Sequence, residues 1–105
     1  MIFADIPKYL NSVTSRNRAY QWDKGQRLRL SGDGLPDQDA FTVEFCNDGD
    51  AAITLPPVTP VDNTAIIPDE LFETGKSVIA FVLPDNYSTR WEIHIPVNPR
   101  PRRGE

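Results

Sequence analysis

Apolar and polar residues alternate along much of this chain, which is the pattern of strands that bury one face. The alternation is strict over residues 27–31 and recurs over 40–46, whereas residues 78–83 are apolar on both faces. Turn-forming residues separate these segments from one another. The strands predicted in this way cover residues 19–22, 27–31, 40–46, 51–55, 64–67, 76–83 and 88–97.

The apolar positions of these strands define the expected core. Inward alternation selects one face of most strands, and in the two-sided strand 76–83 we assign the face of Ile79 and Phe81 to the core. Most of the core should then be formed by Leu28, Leu30, Phe41, Val43, Phe45, Ile79, Phe81, Trp91, Ile93 and Ile95.

Turn and helix signals lie between the strands. Residues 23–26 have the composition of a turn in which Gly25 takes a positive φ. Residues 68–75 begin with proline, continue with acids and end with glycine, which predicts one or two helical turns. Prolines at positions 56, 57, 60 and 96 cannot donate ladder hydrogen bonds. We therefore expect residues 56–60 at a sheet edge or outside the sheet, and Pro96 at an edge or in a finishing strand.

Several short strands separated by turns are typical of an all-β domain. The sequence predicts an antiparallel immunoglobulin-like β-sandwich with one short helical turn, and a small β-barrel is the alternative. A length of 105 residues fits one domain. We divide it into a leader of uncertain order (1–17), the sandwich domain (18–98) and a Pro/Arg-rich tail (99–105).

The charge and composition exclude several classes of function. A net charge of −4 does not fit a general nucleic-acid binder, and the arginines of the tail are expected to be solvated. No apolar run approaches the ~20 residues of a membrane span. The single cysteine, Cys46, allows no internal disulfide and suits a reducing compartment.

The candidate chemistry is sparse. His94 is the sole histidine and Cys46 the sole thiol, and both are on the polar side of their predicted strands. We therefore expect no enzyme, no catalytic residue, no cofactor and no metal site. Residues 47–50 could offer oxygens to calcium, but their spacing does not match a calcium-binding hand.

Three aromatic residues suggest a second class of function. Tyr20 and Trp22 share one face of the predicted strand 19–22, and Tyr87 lies in a loop. Core packing accounts for most aromatic residues in such strands. Tyr20, Trp22 and Tyr87 nevertheless remain candidates for contact with a carbohydrate or a partner, so a carbohydrate-binding β-sandwich module is the alternative function.

Four short motifs follow one another in a recognisable order. They are QWDKGQ at 21–26, VEFCN at 43–47, IPDELF at 67–72 with Gly75, and IPVNPRP at 95–101. In this order the chain resembles the N-terminal domain of baseplate upper proteins and related tail-fibre proteins of Gram-positive prophages. The resemblance covers residues 18–102.

The resemblance implies a phage tail or baseplate structural module that anchors a virion component through protein–protein contacts. Its expected partners are other tail or baseplate proteins, its location is the virion after synthesis in the bacterial cytoplasm, and no catalytic residue carries over. Such a domain is usually followed by further segments. We also expect weak homo-oligomerisation, because the proline-marked edges at 55–60 and near Pro96 are only partly blocked.

Overall fold

A computed structural model describes residues 1–8, 10–35, 41–49, 59–84 and 90–100. These residues form short strands and one turn of 3₁₀ helix (Asp69–Phe72). The predicted strand 51–55, the loop that carries Tyr87 and the tail beyond residue 100 lie outside the described residues. The strands are β1 (Ile2–Asp5), β2 (Ser12–Thr14), β3 (Ala19–Tyr20), β4 (Arg27–Ser31), β5 (Phe41–Asn47), β6 (Thr64–Ile66), β7 (Val78–Pro84), β8 (Trp91–Ile95) and β9 (Val97–Asn98).

The described strands confirm an all-β fold and arrange it in mixed sheets. One sheet has the order β1-β4-β6, a second has the order β2-β8-β7-β5, and β3 pairs with β9. The pairings β1–β4, β2–β8 and β3–β9 are parallel, so the expectation of purely antiparallel sheets is wrong. Parallel pairs join segments that are distant in sequence, and the hairpin signals used in the prediction do not report them.

Residues 1–17 contribute two strands to these sheets, although the sequence suggested a leader of uncertain order. In β1, Ile2 and Ala4 are buried and pair in register with Leu28 and Leu30 of β4. β2 pairs with β8 over Ser12–Thr14. Strands of three or four residues give too short an alternation to be recognised from the sequence.

The exposed edge of β1 is closed by a side chain. Asn17 Oδ1 accepts from the Phe3 N–H at 2.9 Å, and Asn17 Nδ2 donates to the Met1 carbonyl at 2.8 Å. The Arg16 N–H donates to the Phe3 carbonyl at 2.8 Å. The amide of Asn17 therefore stands in for a neighbouring strand and satisfies an edge that would otherwise invite pairing.

The two larger sheets share one hydrophobic core. In β7 the face of Val78, Ala80 and Val82 belongs to this core, so the expectation that the opposite face supplies it is wrong. On that opposite face Ile79 is nevertheless buried, as expected, whereas Phe81 is half-buried. Alternation cannot choose between two apolar faces, whereas pairing with β5 does choose, because Ala80 lies opposite the buried Phe45. The other expected core residues are buried, except that Trp91 is half-buried against the core.

The 3₁₀ helix closes one end of this core. Leu71 and Phe72 are both buried, and Ile67 just before the helix is buried with them. Pro68 is the N-cap residue, one position before the first helical position that the sequence assigned to it. No helix among the described residues is long and apolar enough to cross a membrane.

Pro96 divides the long C-terminal strand into β8 and β9. β8 lies between β2 and β7, so it is an inner strand of its sheet. Pro96 has no N–H, but its carbonyl accepts from the Ala19 N–H at 2.9 Å. Among the described strands β9 pairs only with β3, so the segment after Pro96 agrees with the expected edge or finishing strand, whereas β8 does not.

Candidate interaction site

The four motifs that carry the resemblance meet at one end of the domain. We define the motif junction as residues 21–26, Asn47, residues 67–75 and residues 98–100. These segments are far apart in sequence and are joined mainly by hydrogen bonds that involve the backbone.

The first motif is bound to the third along its whole length. Four hydrogen bonds connect residues 21–26 with residues 67–73, and each uses a backbone group of at least one partner. With the donor first, they are Ile67 N–H to Gln26 O at 3.0 Å, Gly25 N–H to Asp69 Oδ1 at 2.9 Å, Trp22 N–H to Phe72 O at 2.9 Å and Gln21 Nε2 to Glu73 O at 2.9 Å.

The second motif reaches the junction through Asn47, the last residue of β5. Its side chain is buried, and its Nδ2 donates to the Leu71 carbonyl at 2.9 Å and more weakly to the Lys76 carbonyl at 3.5 Å. A buried amide without such partners would cost ~1–3 kcal/mol. Asn47 therefore ties the end of the four-stranded sheet to the 3₁₀ helix.

The fourth motif lies against the first. The Gln21 N–H donates to the Asn98 carbonyl at 2.9 Å, and the Arg100 N–H donates to Gln21 Oε1 at 3.1 Å. The indole Nε1 of Trp22 donates to the Arg100 carbonyl at 3.0 Å. Both backbone groups of Arg100 are thus held by side chains of the first motif.

A carboxylate organises the charges at this end. Asp23 Oδ2 accepts from the Tyr20 N–H and from Gln26 Nε2, each at 2.9 Å. Its Oδ1 accepts from Arg100 Nη2 at 3.2 Å, and the Asp23 side chain is only 15% exposed. The Arg100 guanidinium also lies 5.7 Å from the centre of the Tyr20 ring, within the range of a cation–π contact.

Trp22 adopts a backbone conformation that favours glycine. Its φ is 72°, and the Asp23 N–H closes a turn by donating to the Tyr20 carbonyl at 3.1 Å. A side chain at positive φ costs ~1–2 kcal/mol relative to glycine. The bonds of Trp22 to Phe72 and Arg100 offset that strain.

The structure separates the aromatic residues that the sequence placed together. β3 ends at Tyr20 and Trp22 lies in the following turn, so the two do not share one strand face as expected. Tyr20 is 45% exposed, Trp22 is half-buried, and Tyr87 lies outside the described residues. A flat platform for a sugar would need the Tyr20 ring and the Trp22 indole to be available. The Arg100 guanidinium lies over the Tyr20 ring, and the Trp22 indole N–H is already bonded to the Arg100 carbonyl.

The junction depends on polar residues that sequence reasoning missed. Asn47 is a turn-type residue by composition, yet it is buried at a strand end. Gln21 and Asp23 lie within the first motif, but only the aromatic Trp22 between them was a candidate for contact with a ligand or partner. The one feature of the sequence that could have indicated the role of these polar residues is their position within the four motifs.

The sole histidine and the sole thiol lie on one face of the four-stranded sheet without contacting each other. Cys46 is opposite Ile79, which is opposite His94, so two strand spacings of about 10 Å in total separate them. His94 Nε2 instead lies 3.1 Å from Glu92 Oε2. Within the described ranges, no group of three or more histidine, cysteine or carboxylate side chains is placed to hold a metal ion.

Comparison of the chain with family models, with curated proteins and with solved structures finds no match.

Proposed function

We propose that the chain is a structural module of a phage tail or baseplate, which joins virion components through protein–protein contacts and catalyses no reaction. The observation that supports this proposal is the motif junction. Residues whose order resembles the baseplate domain come from four parts of the chain and bond to one another. Motifs that meet in space favour one shared structural role over four accidental likenesses.

The junction has the construction expected of a connector. β9 pairs with β3, and residues 98–100 continue along residues 21–23. The Gln21 side chain also donates to the Glu73 carbonyl, next to the buried Phe72. A force on residues 98–100 would therefore be transmitted through Gln21 to the core. A rigid attachment of this kind suits a virion part.

The fold is compatible with the immunoglobulin-like sandwich that we propose for it. The inner faces of β1-β4-β6 and β2-β8-β7-β5 supply one core, as in two packed sheets. The first strands divide between the two sheets, and β2 and β3 run parallel to β8 and β9.

Co-expression tests the proposal directly. The full chain is produced together with the products of the genes that flank its own, and complexes are separated by size-exclusion chromatography and identified by mass spectrometry. The proposal expects co-elution with a tail or baseplate protein. Flanking genes without virion proteins, together with a chain that elutes alone, would refute it.

The carbohydrate-binding alternative is tested on the same preparation. A glycan array and a titration followed by tryptophan fluorescence would detect a sugar bound near Trp22. We expect neither to respond, because the Trp22 indole N–H is bonded to Arg100 and Arg100 lies over Tyr20. A saturable response that Tyr20→Ala abolishes would establish the alternative instead.

A further inference from the structure

The outer face of the three-stranded sheet presents cationic and apolar side chains to solvent, and the Asp5 carboxylate on the same face is paired with Arg16. Phe3 of β1 is 43% exposed and Ile66 of β6 is 62% exposed. Between them, Arg27 and Arg29 of the central strand β4 are also exposed. We call Phe3, Arg27, Arg29 and Ile66 the arginine face.

The register of the sheet makes these four side chains neighbours. Arg27 lies opposite Ile66, and Arg29 lies opposite Phe3. Side chains two residues apart on one strand face are separated by about 7 Å, so the two arginines form a pair of charges at that spacing. Each arginine is flanked across the sheet by an exposed apolar side chain.

The arginines of this face lack the partners that other arginines of the domain have. Arg16 is paired with Asp5, Arg100 with Asp23, and Arg90 lies 4.4 Å from the centre of the Phe81 ring. Neither Arg27 nor Arg29 makes an ion pair or a ring contact in the described part of the chain. Two unpaired cations therefore share one face of a chain whose net charge is −4.

The positive charge of the arginine face limits the kind of partner that can bind there. Docking the face symmetrically onto a second copy would bring four arginines together, and like charges at an interface are strongly unfavourable. Arginine beside aromatic and aliphatic side chains is instead the composition of a protein interface. We infer that the arginine face docks an acidic surface of a different protein, with carboxylates about 7 Å apart beside apolar side chains. This inference rests on the proposed function, which makes the occupant a virion protein.

Charge reversal tests the inference on the complex obtained by co-expression. Arg27→Glu/Arg29→Glu should weaken the complex at least tenfold, because complementary pairs become repulsive ones. Lys8→Glu/Arg90→Glu is the matched control, since it gives the same net charge but changes exposed residues outside both the arginine face and the motif junction. We expect less than a twofold change for that control. Circular dichroism and thermal melting of each variant show whether it folds, and Ile66→Ser tests the apolar part without a change of charge.

A photo-crosslinking phenylalanine analogue at position 3 identifies what lies on the face. The inference expects a cross-linked peptide of the virion partner that is rich in Asp or Glu. It fails, and the proposed function stands, if the partner remains bound to Arg27→Glu/Arg29→Glu or if both double variants lose it equally. If the wild-type chain binds no virion protein, both fail.

Two further probes exclude other occupants of the arginine face. A 20-base-pair DNA duplex and phosphatidylserine vesicles are titrated with the free chain, and we expect no binding that depends on the two arginines. Binding of either probe that Arg27→Glu/Arg29→Glu abolishes would overturn the inference. A homodimer that the same variant abolishes, measured by analytical ultracentrifugation, would overturn it as well.

Discussion

The Arg100 N–H donates to Oε1 of Gln21 at 3.1 Å, while Nε2 of the same amide donates to the Glu73 carbonyl at 2.9 Å. One side chain thus bridges residues 98–100 and the end of the 3₁₀ helix. We expect Gln21→Ala to destabilise the domain by about 1–2 kcal/mol, as loss of two exposed hydrogen bonds would. Amide hydrogen exchange should accelerate at Arg100.

Lys24→Ala provides the control for this substitution, because Lys24 is exposed in the same segment. It should leave both stability and exchange unchanged. Equal exchange at Arg100 in Gln21→Ala and the parent chain would show that Gln21 does not hold the fourth motif.

Asn47 should be more costly to replace than any exposed asparagine. Asn47→Ala leaves the Leu71 carbonyl without its side-chain donor and opens a small cavity. The expected loss is about 1–3 kcal/mol in the free energy of unfolding measured with urea. Asn11→Ala, at an exposed position, should change it by less than about 0.5 kcal/mol. Similar denaturation midpoints for the two variants would contradict the role of Asn47.

Two glycines with positive φ separate backbone strain from lack of space. A Cβ on Gly25 (φ 67°) would meet open space, whereas a Cβ on Gly32 (φ 111°) would collide with the Ile6 backbone. Gly25→Ala should therefore cost only the conformational strain, about 1–2 kcal/mol. Gly32→Ala adds the collision and should cost about 3 kcal/mol or more.

Thermal unfolding of the two glycine variants measures this difference. Gly34→Ala is an additional test, since Gly34 has no positive φ but its Cβ would collide with the Pro7 carbonyl. Equal melting temperatures for Gly25→Ala and Gly32→Ala would show that Gly32 does not pack closely against the Ile6 backbone.

Truncation of two phenylalanines tests which face of β7 lies in the core. Phe45 is fully buried opposite Ala80, so Phe45→Ala should cost about 3–5 kcal/mol. Phe81 is half-buried on the opposite face, where Arg90 lies over its ring. Phe81→Ala should cost clearly less, about 1–2 kcal/mol. A larger loss of unfolding free energy for Phe81→Ala than for Phe45→Ala would show that the face of Phe81 lies in the core, as the sequence suggested.

Alternation predicted those parts of the fold in which one strand face is polar. In β4 the polar residues leave Leu28 and Leu30 no choice of face, and the prediction is confirmed. In β7 both faces are apolar, so only the pairing with β5 decides, and that pairing is a long-range contact. Such contacts have no local signal in the sequence.

The same limit applies to the motif junction. The motif order indicated which segments mattered, but not that Gln21 would contact Glu73 or that Asn47 would bond Leu71. The parallel strands β1, β2 and β3 were missed or truncated for a related reason. Each is only two to four residues long and depends on a distant partner.

The Asp5 carboxylate links the pH dependence of stability to the edge strand β1. Its pKa is lowered by hydrogen bonds from the Ser31 hydroxyl and from Arg16, and by the charge of Arg16. A carboxyl whose pKa is lower in the folded state stabilises the fold above its unfolded pKa and loses that contribution as the pH falls. The contribution should therefore be complete near neutral pH and decline below about pH 4.

Asp5→Asn removes this titration and should flatten the acid side of the stability profile. Urea midpoints are measured from pH 7 to pH 2 for the parent chain, for Asp5→Asn and for the control Asp33→Asn, an exposed carboxylate away from the Arg16 pair. As the pH falls through the lowered pKa of Asp5, its carboxyl becomes protonated in the parent chain as well, so the difference between the parent and Asp5→Asn should shrink at the acid end of the range. High salt should reduce the difference at pH 7 only in part, because the Ser31 hydroxyl bond is not an ion pair. A constant difference at every pH would show that Asp5 acts through packing and not through its charge.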